Sequence, residues 1–80
     1  MMTMIMNRTQ DERGISVEAF CGNKSAFIYI AKNYISVVCN NASHRVFRGM
    51  GRMFKNFDEA LEAYQSSEMK NIIEAAREIA

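Results

Sequence analysis

Eighty residues with 49% hydrophobic content, no proline and a formal charge of +1 describe one ordered domain with a thin core, since so short a chain buries only about 60% of its unfolded surface. That size leaves little room for a deep substrate cavity, and two cysteines are too few for the disulfide framework of a small secreted fold. The net charge conceals a polarity. Residues 19–57 hold Lys24, Lys32, Arg45, Arg48, Arg52 and Lys55 without one carboxylate, whereas residues 58–80 carry six carboxylates against Lys70 and Arg77. Such segregation bears on partners and solubility rather than on fold, and suggests a face that prefers polyanions or acidic protein surfaces.

Residues 1–14 (MMTMIMNRTQDERG) end in a polar run and a glycine, which reads as a mobile N-terminal arm. The alternation of Met2, Met4 and Met6 offers an edge strand as the other reading. The start lacks a basic leader and a small-residue cleavage pattern, so no signal peptide is expected there. No segment approaches the roughly 20 apolar residues that cross a bilayer, and two reduced thiols suit a cytoplasmic chain.

From Ile15 the pattern changes to short β-rich runs parted by turn residues: ISVEAFC, Gly22-Asn23, SAFIYIA, Lys32-Asn33, YISVVC, Asn40-Asn41 and ASHRVF. Gly-Asn between two apolar runs is a hairpin signal. The expectation is an α+β fold built on a four-stranded antiparallel meander over about 15–48. Two-residue turns fix its register and separate two faces. Ile15, Val17, Ala19, Ala26, Ile28, Ile30, Ile35, Val37, Cys39, Ala42 and Val46 share an aliphatic face, with Val17 opposite Ile28 and Ile30 opposite Ile35. Phe20, Phe27, Tyr29, Tyr34, Val38 and Phe47 share the other with Ser16, Glu18, Ser36, Ser43 and Arg45, placing Tyr34 opposite Phe47 and Ser36 opposite Arg45.

Asn56 is placed to cap a helix starting near Phe57, with Glu59 at the third helical position and Asp58 beside the positive helix end. Phe57, Ala60, Leu61 and Tyr64 form one apolar stripe, but Met69, Ile72, Ile73, Ala76 and Ile79 centre roughly 100° further round. Two readings follow for about 57–79. Either Ser67 caps a second helix after a break at Ser66-Ser67, or one helix rotates its buried side; both cover the aliphatic face, making residues 15–80 a single two-layer domain.

With the helices on that side, the aromatic face is left for a partner. The candidate partner-binding residues are Phe27, Tyr29, Tyr34, Arg45, Phe47, Arg48, Arg52 and Lys55. A protein, including a second copy, buries aromatics with Tyr and Arg as anchors. Single-stranded nucleic acid stacks its bases on sheet aromatics while cations follow the phosphates. Cover by the Met-rich arm, or helices divided between both faces, is the intramolecular alternative. Arg48-Gly49-Met50-Gly51-Arg52 lacks a nucleotide-loop pattern, and its glycines suit a bulge or bend as the last strand leaves the sheet.

No catalytic, cofactor or metal constellation emerges, and no enzymatic activity is expected. His44 is alone and falls on the aliphatic side. Cys21 and Cys39 end strands separated by one other, roughly 10 Å apart and beyond disulfide reach, so both are expected as small buried hydrophobes. The glutamates after residue 58 are expected on a solvated helix surface, including i, i+3 pairing of Glu74 with Arg77.

The order of four strands followed by helix over residues 15–80 resembles single-strand-binding coactivator domains of the ββββα type, which implies dimerisation and nucleic-acid binding. Size, a compact α+β plan and segregated charge are also similar to small phage or mobile-element proteins of the anti-CRISPR and anti-restriction type. That similarity implies inhibition of a host nucleic-acid-handling complex by occupying a protein surface. Neither resemblance carries functional residues over.

Overall fold

A computed structural model describes residues 3–41 and 51–80. Among them lie five strands and two helices in the order β1 (Thr3–Gln10), β2 (Gly14–Cys21), β3 (Lys24–Ala31), β4 (Ile35–Asn41), β5 (Arg52–Phe54), α1 (Phe57–Ala63) and α2 (Ser67–Ile79). The strands form one antiparallel meander in chain order.

The middle of the sheet follows from alternation and turn length. Cys21 pairs with Lys24 across Gly22-Asn23, and the left-handed backbone falls on Gly22 (φ 59°), the first central position of the turn, where a side chain would be strained. Ala31 N–H donates to the Tyr34 carbonyl at 3.0 Å across Lys32-Asn33. These two turns place Val17 opposite Ile28 and Ile30 opposite Ile35, as alternation requires.

Two features depart from expectation. Residues 3–10, read as part of an arm, form β1 and widen the four-stranded sheet to five. Asp11 makes this possible: its Oδ1 accepts from the backbone N–H groups of Arg13 (2.8 Å) and Gly14 (3.0 Å), so the polar run is a tight turn. The register slips between Ile5 and Asn7, a bulge that turns Ile5 toward the core and then Arg8, opposite Val17, toward the helices. At the other edge, the expected strand at 42–47, with His44, Arg45 and Phe47, lies outside the described residues. Beside β4 runs β5, and Ser36 takes Met53 as its neighbour there, where Arg45 was expected.

The helices resolve into two. Asn56 Oδ1 accepts from Glu59 N–H at 2.9 Å and caps α1, while Glu59 Oε1 accepts in return from Lys55 N–H at 3.4 Å. Ser66, rather than Ser67, caps α2, its Oγ accepting from Met69 N–H at 3.0 Å. The break lets each apolar stripe face the same sheet side. Val17, Ala19, Cys21, Ala26, Ile28, Ile35, Val37 and Phe54 from the strands meet Ala60, Met69, Ile72, Ile73 and Ala76 from the helices in one buried cluster. Full burial of a side chain such as Ile28 or Ile72 contributes about 1.5–3 kcal/mol. The result is two layers, helices on the aliphatic face.

A candidate interaction face

The opposite sheet face is built by the other half of the same alternation. Met4 on β1, Phe20 and Glu18 on β2, Phe27 and Tyr29 on β3, Ser36 and Val38 on β4 and Met53 on β5 share it, with Tyr34 just ahead of β4 and against Tyr29. No described element packs on this side. Met53 (57% exposed), Met4 (54%) and Tyr34 (37%) are the exposed large hydrophobic residues of the described chain, and all three lie here. Tyr29 and Tyr34 lean together, ring centroids 6.4 Å apart at 43°, so the two phenols form one unit.

Charge is sparse among the described strand residues of this face. Among the described strand residues its charged side chain is Glu18, since Arg8, Lys24 and Arg52 pair with Val17, Cys21 and Val37 on the helix side. Arg52 was expected beside the aromatic residues of the open face and is instead displaced by register: Phe54 must face the core opposite Ile35, which carries Arg52 to the same side. There its guanidinium lies 5.3 Å from the ring centroids of both Phe54 and Tyr64. The two rings meet edge to face at 6.0 Å, and the cation ties β5 to the end of α1.

That side also holds Cys39, whose Sγ lies 3.3 Å from the sulfur of the buried Met69. Cys39 is exposed, contrary to the expectation of two buried thiols, because it sits toward the end of β4; Cys21 is buried, with Asn71 Nδ2 3.9 Å from its sulfur. Burial pushes the Tyr64 hydroxyl above its ordinary pKa, with Arg52 opposing that rise and Cys39 adding to it.

The structure therefore brings together Phe27, Tyr29 and Tyr34 from the expected set and separates Arg52 from them. Lys55 is exposed at the entrance to α1, its backbone engaged by Glu59. Arg45, Phe47 and Arg48 lie outside the described residues. Sequence reasoning omitted Met4 and Met53 from the site. The Met2-Met4-Met6 alternation was a signal for the first, while nothing local in Arg52-Met53-Phe54 announces a strand. Among the described residues no group of three or more His, Cys, Asp or Glu could hold a metal ion, and no helix is long and apolar enough to cross a membrane. Comparison with protein-family models, curated proteins and solved structures finds no match for this chain.

Proposed function

We propose that this chain is a small non-enzymatic binding protein of the cytoplasm that docks another protein on its open sheet face. The observation that carries the reading is the coincidence of the exposed Met4, Tyr34 and Met53 on one face, opposite both helices. Aromatic and methionine side chains on a charge-poor surface suit the centre of a protein interface, where desolvation costs little and anchors fill pockets. Among the described residues the same surface offers less to single-stranded nucleic acid, because phosphates require cations beside the stacking rings and Arg52 lies on the other side.

A photoreactive phenylalanine analogue in place of Tyr34, compared with one in place of the exposed Glu62 on α1, tests this in the cells that make the protein. Protein adducts from position 34 and none from 62 are expected. Equal adducts, or none, contradict the reading. Anisotropy of a labelled single-stranded oligonucleotide provides the counter-test: binding that weakens steeply between about 50 and 200 mM salt would replace the protein partner with nucleic acid.

A further inference from the structure

We propose that the occupant of the open face is a second copy of this chain, packed sheet on sheet; this rests on the reading above that the face docks a protein. Charge supports it first. A two-fold interface sets a patch against itself, so a surface of one sign repels its own copy. Here the described strand residues contribute Glu18 alone, and two carboxylates are readily kept apart across such a face.

The sheet edges supply the second argument. Strand addition needs a long regular edge, and among the described residues neither edge strand, β1 nor β5, offers one. β5 has three residues. β1 is longer, but its bulge at Ile5/Asn7 interrupts the ladder, and Arg8 beyond it turns toward the helices, where Nε donates to the Ile79 carbonyl at 2.9 Å. Both devices discourage edge-to-edge pairing and leave the face as the surface through which two copies meet.

Area is the third. Four strands about 4.8 Å apart, each rising about 3.3 Å per residue, span roughly 19 by 25 Å, so two apposed faces bury on the order of 1,000 Å², the floor that a specific interface must clear. Met53 adds to this from β5. Met4 and Met53 are unbranched and adapt to the partner surface, while the Tyr29–Tyr34 unit provides rigid anchors. The product is a two-sheet sandwich with helices on both outer sides and about 10 Å between sheets.

Sedimentation equilibrium of the full chain from micromolar to near-millimolar concentration tests the proposal, run beside Tyr34→Glu/Met53→Glu and the milder Tyr34→Ala/Met53→Ser. The wild type is expected at twice its 9.2 kDa mass. Loss of two anchors should weaken association by about a hundredfold, with circular dichroism unchanged. Hydrogen exchange of the β1 amides should be as fast in the dimer as in the monomer. A monomer throughout, a dimer indifferent to both double variants, or β1 amides protected by association would each overturn the second copy. Adducts from position 34 to some other protein would then leave the docking reading standing; a monomer with no such adducts would remove both.

Discussion

Arg8 joins the first strand to the last helix: its Nε donates to the carbonyl of Ile79, 71 positions along the chain, at 2.9 Å. The bond exists because the bulge after Ile5 turns Arg8 to the helix side. It places a cation at the negative end of α2 and satisfies a carbonyl that the helix leaves unpaired.

Arg8→Ala should therefore cost about 0.5–1.5 kcal/mol, the range of an exposed charged hydrogen bond at a helix end. Urea unfolding measures the loss. Faster amide exchange confined to the last turn of α2 would locate it, and unchanged exchange there would refute the role.

The two helix caps make a contrasting pair. Ser66→Ala should cost about 1 kcal/mol, as should Asn56→Ala, whereas Ser67→Ala should cost little because its hydroxyl meets the neighbouring Glu68 carboxylate rather than a helix N–H. Thermal unfolding of the three variants ranks them, and a larger effect at Ser67 than at Ser66 would contradict the cap assignment.

Gly14 is a packing requirement. A Cβ there would collide with the Ile30 carbonyl oxygen, inside the β2–β3 ladder. Gly14→Ala should destabilise by about 1–3 kcal/mol through forced separation of strands. Weakened exchange protection at both ends of the β2–β3 pair would show it, and wild-type stability would exclude it.

Tyr64 predicts a response to alkali. Its pKa is raised in the fold by burial above the ordinary value of 10.0, so the folded state holds the proton more tightly than the unfolded one. The resulting stabilisation is fully present below pH 10 and is lost as pH climbs through the raised value. Spectrophotometric titration of the wild type and of Tyr64→Phe should show a phenol that titrates above its ordinary range in the first and is missing from the second. Identical titration limbs would contradict the burial of that hydroxyl.

Much of this architecture is written locally. Val17, Ile28 and Val37 face the core through strict alternation, and two-residue turns fix their register, so the three central strands and the division into faces can be read from residues 15–39. The edges resist such reading for a physical reason. β1 is buried on one side only, and after its bulge the core-facing positions carry Arg8 and Gln10, which mimic a polar arm. β5 is three residues held by Phe54 in the core, a long-range packing choice without a local pattern. That choice also shapes the candidate face: it sends Arg52 to the helices and Met53 to the open side, so the shared side of Phe27, Tyr29 and Tyr34 was legible and the side taken by Arg52 was not.

The most direct test of the open face as a docking surface is the comparison of photocrosslinking from positions 34 and 62 in the producing cells. Protein adducts at 34 with none at 62 are the predicted result. Adducts from 62 alone would place the interface on the helical side and contradict the account.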